Sequence, residues 1–98
     1  MTDYTKMIEK WDEDTENDFE FHLELFRLGV IDEICKWMHT KKVSKTRLAK
    51  GIGVSWKHID DILGTKVDIT IEELVKIAMF FNCRVDVFFI PMRKVGGK

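Results

Sequence analysis

Residues 44–64 read SKTRLAKGIGVSWKHIDDILG, and this stretch decides the fold. Ser44 is a favourable N-cap, and Leu48, Ala49 and Ile52 follow it at helical spacing. Gly53 suits a left-handed stop, Val54 is apolar, and Ser55 caps a second helix that turns Ile59, Ile62 and Leu63 inward before Gly64. Two short helices joined this tightly must cross steeply. The crossing needs a small residue at the contact, a glycine able to take positive φ in the turn, and an aliphatic residue on the second helix. Ala49, Gly53 and Ile59 supply them in that order.

Downstream, a loop over residues 65–69 leads to Thr70, which with Glu73 predicts a capping box ahead of Ile71, Leu74, Val75, Ala78 and Phe81. Asn82 can end that helix. Residues 84–90, RVDVFFI, read as a strand rich in β-branched and aromatic side chains and closed by Pro91; a final helical turn packed on the core is the alternative. Upstream, Thr15 with Asp18 resembles a cap, after which Phe19, Leu23, Phe26, Val30, Ile34 and Met38 recur at steps of three and four. The pattern predicts an amphipathic helix or two, with Gly29 marking a bend before a second helix from Val30 to about Thr40. Lys41, Lys42 and Val43 form the connection to Ser44. Before residue 15, Tyr4, Met7, Ile8 and Trp11 stand isolated among charges, as either a short docking helix or a loose tail.

The filled positions from Ser44 to about Val87 resemble the helix-turn-helix domain of the Cro/lambda-repressor superfamily, the Xre-type regulators. Gly64 after the second motif helix, the I-A-x-x-x-N ending of residues 77–82 and the apolar segment that follows are most similar to the phage-related, antitoxin-like branch. The resemblance implies a mainly α fold, a lambda-repressor-like helix-turn-helix bundle of about five helices with a C-terminal β-strand. It divides the chain into an acidic N-terminal segment, residues 1–18, a helix-turn-helix domain with its C-terminal strand, residues 19–91, and a basic tail, residues 92–98. In such domains the second motif helix enters the major groove with its N-terminal residues at the base edges, while the first sits over the backbone. Carried over residue by residue, this makes Trp56, Lys57 and Asp61 base-facing, turns Ser55 and Lys45 to phosphate, and gives Lys66 a phosphate contact from the following loop.

The chemistry suits those roles. Lys57 can donate to guanine O6 or N7, Asp61 can accept from cytosine N4, and Trp56 can pack against a thymine methyl. Helix N-termini at Ser44 and Ser55 present N–H groups to phosphate. Two features depart from the family pattern: Trp56 stands where Gln, Ser or Arg is usual, and Asp60 with Asp61 puts two negative charges on a helix meant for an anionic groove. The plain readings are that Asp60 faces solvent or pairs with Lys57, and that Trp56 covers a neighbouring helix.

A chain of 98 residues with 16 Lys plus Arg, 17 Asp plus Glu and 45% hydrophobic side chains holds one core, which excludes multidomain enzymes and barrels. The formal charge of −1 conceals a division: residues 1–35 carry −8, residues 36–66 carry +6 and residues 67–98 carry +1. The basic block attracts a polyanion; the acidic leader repels one. Cys35 and Cys83 read as buried thiols, and His22, His39 and His58 are scattered, so neither a catalytic centre, a metal site nor a cofactor is predicted. No apolar run is long enough for a membrane span, and the acidic start lacks the order of a secretory signal, which points to the cytoplasm. The expected function is sequence-specific binding of double-stranded DNA by a transcriptional repressor, dimeric through its C-terminal strand. The alternative is an antitoxin-type module whose acidic leader binds a protein partner such as a toxin.

Overall fold

The computed structural model describes residues 18–91, and these form four helices: α1 (Phe19–Lys41), α2 (Lys45–Ile52), α3 (Trp56–Leu63) and α4 (Ile71–Phe80). Thr15, the isolated apolar residues of the N-terminal segment and the basic tail lie outside the described residues.

Each helix begins on a side chain that takes up its first free N–H groups. The Asp18 carboxylate accepts from the Glu20 and Phe21 amides, at 3.0 and 3.4 Å. Ser44 Oγ accepts from the Arg47 amide and Ser55 Oγ from the His58 amide, both at 3.1 Å. At α4 the box is reciprocal: the Glu73 amide donates to Thr70 Oγ1 at 3.0 Å, and the Thr70 amide donates to Glu73 Oε1 at 2.9 Å.

The helix ends explain the tight connections. Gly53 takes φ 79, and the amides of Gly53 and Val54 both reach back to the Ala49 carbonyl, at 2.9 and 3.0 Å. The end of α1 uses the same left-handed device without a glycine. Lys42 sits at φ 56, its amide donates to His39 O at 3.2 Å, and the Val43 amide donates to Met38 O at 2.9 Å, which closes a Schellman motif and drops Val43 into the core.

Leu48, Ile59 and Ile62 are the most deeply buried side chains, joined inside by Ile34, Val43, Ala49, Ile52, Ile77 and Phe81. The core therefore collects one residue or more from every helix. Gly51 lets α2 and α4 approach, because a Cβ there would overlap the Phe80 ring. Trp37 packs against Phe81 on the α1 side, the two rings tilted by 32° with centroids 6.3 Å apart.

Several expectations are corrected. The described residues hold four helices and no strand, against about five and one. Gly29 makes no bend: α1 runs unbroken for 23 residues, since one interior glycine costs only about 1 kcal/mol against alanine while its neighbours go on making helical hydrogen bonds. Residues 84–90 form neither a ladder nor a helical turn, because a strand needs a partner edge and the described chain offers none. Phe19, Leu23 and Phe26 keep the apolar rhythm yet are exposed, since the first turns of α1 reach past the core; Ile71 and Val75 on α4 are exposed too. Cys35 is exposed rather than buried, lying one residue round the helix from the core residue Ile34, and Cys83 is half-buried. Among the described residues no helix is long and apolar enough to cross a membrane.

Candidate nucleic-acid interface

The second motif helix, α3, starts at Trp56 immediately after its cap, so its first side chains leave the domain near the free N–H end. Trp56 is 50% exposed and Lys57 stands out beside it. Ile59 and Ile62, three apart, occupy the opposite face and are buried. The amphipathic turn thus fixes which residues can meet a partner.

The two acids on α3 do not stand bare. Asp60 Oδ1 holds Lys45 Nζ at 2.6 Å, a bond that runs from the third helix back to the start of α2. Asp61 Oδ1 lies 3.3 Å from Lys57 Nζ, one turn earlier on the same helix. This corrects the expectation that Asp60 pairs with Lys57: a step of four suits Asp61, and the crossing of α2 over α3 brings Lys45 to Asp60, which stays partly open to solvent. The hydrogen bond from Lys45 holds the Asp60 carboxyl below the usual aspartate range, and the charges of Lys45, Lys66 and Lys57 add to it.

Lys45 also ties in Trp56, its ammonium standing 5.6 Å from the indole centroid. Trp56 is thus covered by a neighbouring helix's side chain on part of its surface and open on the rest. Ser55 uses its oxygen as the cap acceptor, which leaves the hydroxyl proton to donate elsewhere. Lys66 is exposed in the loop, its amide bonded to Asp61 O at 2.8 Å. The Arg27 guanidinium on α1 steadies the loop by gripping Asp68 at 2.7 and 3.1 Å while bonding Glu24 at 2.8 Å. Of the predicted site residues, Lys45 thus joins Asp60 and Trp56, Lys57 pairs with Asp61, the Lys66 amide bonds the Asp61 carbonyl, and Ser55 caps the helix start.

Sequence reasoning missed two supports. His58 Nε2 lies 2.5 Å from Glu73 Oε2, joining α3 to the first turn of α4. Glu73 is also the partner of Thr70 in the capping box, and the Thr70 amide first, then His58, holds its carboxyl below the usual glutamate range. The T-x-x-E spacing advertised the cap; nothing in the spacing advertised the histidine. The second is the bond from Lys45 to Asp60, which the sequence marks only as one member of an acid pair.

The family model for the Cro/C1-type HTH DNA-binding domain matches residues 33–89. No curated protein and no solved structure matches the chain.

Proposed function

The chain belongs to the Cro/C1-type helix-turn-helix DNA-binding family, and from that premise we propose that it is a transcriptional repressor that reads a pseudo-palindromic duplex site as a homodimer. The observation that carries the reading is the presentation of Trp56 and Lys57 at the open end of α3, with Lys45 against the Trp56 ring and Lys66 exposed in the loop that follows the helix. Lys57, Asp61 and Trp56 face base edges; Lys45, Ser55 and Lys66 face phosphate. Residues 19–91 act as the binding unit, with residues 1–18 as an acidic leader and residues 92–98 as a basic tail. In the free protein each acid of α3 is held by a lysine, Asp60 by Lys45 and Asp61 by Lys57.

The second copy covers an apolar groove of about 700 Å³ between α1, α4 and residues 83–90, lined by Phe26, Val30, Trp37, Ile77, Phe81 and Phe88 among others. Val87, Phe88, Phe89 and Ile90 are largely exposed beside it, with Phe89 95% open. Pairing residues 85–90 with the same segment of a second chain gives them a ladder partner that the described residues do not supply, and hides two edges together. Light scattering on the eluting protein is expected to give twice the chain mass; a monomer at micromolar concentration overturns the dimer.

Fluorescence anisotropy with labelled duplexes tests DNA binding itself. Affinity falls steeply with salt, and Lys57→Ala removes binding. Folded protein that binds no duplex at low salt overturns the reading. The charge of −8 over residues 1–35 favours a second reading, an antitoxin-type module whose leader binds a basic protein such as a toxin. Removing residues 1–18 then abolishes capture of that protein and leaves duplex binding unchanged.

A further inference from the structure

The Lys45–Asp60 pair joins the two helices of the motif, from the first residue of α2 to the middle of α3. Its length of 2.6 Å marks a charge-assisted hydrogen bond, and both side chains remain more than one-third exposed. Lys45 is therefore reachable by an outside anion but already occupied by an inside one. Arg47 and Lys50 on α2 have no comparable carboxylate among the ion pairs of the described residues.

We propose that Asp60 competes with DNA phosphate for the Lys45 ammonium and so sets how tightly the protein binds duplex of any sequence. The proposal rests on the DNA-binding reading above and adds to it the residue that limits its sequence-independent part. Affinity for arbitrary duplex comes from lysines and arginines that neutralise phosphates and release counterions. A lysine whose charge is already met by Asp60 releases fewer counterions when a phosphate approaches. Moving Lys45 to phosphate also leaves Asp60 unpaired beside a polyanion. Both effects reduce binding to DNA that offers phosphates alone, so Asp60 is a positioning residue that acts through Lys45.

The test needs no knowledge of the operator. Anisotropy titrations of a labelled random-sequence duplex, run from about 50 to 200 mM KCl, compare the full chain with Asp60→Asn, Asp60→Ser, Lys45→Met and the Asp60→Asn/Lys45→Met double variant. Circular dichroism melts establish that each variant is folded at the titration temperature. Asp60→Asn is expected to bind several-fold tighter, with the slope of log affinity against log salt steeper by about 0.9, the release of one further counterion. In the Lys45→Met background the same substitution is expected to leave that slope unchanged. Equal affinity and slope for the parent and Asp60→Asn overturn the proposal. Tighter binding of the same size with and without Lys45 overturns it too, since simple removal of a negative charge then accounts for the effect. Asp60→Ser replaces Asp60→Asn should the latter fail to fold. Absence of binding by every folded protein, the parent included, removes the DNA-binding reading and this proposal with it, whereas binding with unaltered slopes removes the proposal alone.

Discussion

Replacing Lys42 with glycine is expected to stabilise the protein, although it deletes a charge and a long side chain. Lys42 closes α1 at φ 56, in the left-handed region, while the corresponding position after α2 is Gly53 at φ 79. A side chain in that region costs roughly 1–2 kcal/mol. Glycine escapes the penalty but adds about 0.5–1 kcal/mol of backbone freedom to the unfolded chain. The net gain for Lys42→Gly is about 0.5–1 kcal/mol, or roughly 2–8 °C in Tm for a domain of this size. Lys42 is exposed and makes no ion pair within 4.0 Å among the described residues, so little is lost against that gain. Lys42→Ala is the control, since it removes the side chain and keeps the strained φ. Gly53→Ala gives the converse: a Cβ there meets nothing within 4 Å, so its loss of about 1 kcal/mol is purely conformational. Urea titrations followed by far-UV circular dichroism, with slopes equal across the set, read all three changes. A Lys42→Gly protein less stable than its parent, or one matched by Lys42→Ala, refutes the assignment of strain to φ.

Leu48→Ala empties the centre of the core, and a loss of about 2–5 kcal/mol is expected in the same titrations. Gly51→Ala forces the Phe80 ring away from α2 and is expected to cost about 1–3 kcal/mol, restored in part by Phe80→Leu; an unchanged midpoint contradicts the close approach. Acid sensitivity follows from Glu73, held below its usual range by the Thr70 amide and His58, and from Glu33, held there by the Trp37 indole and Lys36. Both favour the charged form in the folded state, so their stabilisation is complete above the ordinary glutamate value of about 4.3 and disappears as pH falls through the lower folded values. Urea midpoints across that range are expected to fall with pH, less so in Glu73→Gln, and an identical acid profile in the variant contradicts the linkage.

What the sequence discloses follows how local each interaction is. Ser44, Ser55 and the Thr70–Glu73 box are legible because a cap spans three residues, and Gly53 because glycine advertises its own backbone. Lys42 performs the same turn invisibly, since lysine carries no mark of left-handed geometry. Lys45–Asp60 and His58–Glu73 each join residues 15 apart, so they appear only once the helix crossings are known. The VDVFFI segment misleads in another way. Its propensity for extended structure is real, but a ladder is a property of two segments and the described residues offer one. The apolar rhythm of Phe19, Leu23 and Phe26 likewise states a preference for burial and says nothing of whether this chain or another meets it.

The connections between the last three helices are short, residues 53–55 and 64–70, and α2 packs on both of the helices that follow it. Packing among near neighbours in the chain closes only small loops, and helical domains of this kind fold in microseconds to milliseconds. The motif that meets DNA is thus expected to assemble early, so that variants in the α2–α3 crossing slow folding in stopped-flow chevrons, whereas those at the exposed start of α1 act on the unfolding limb.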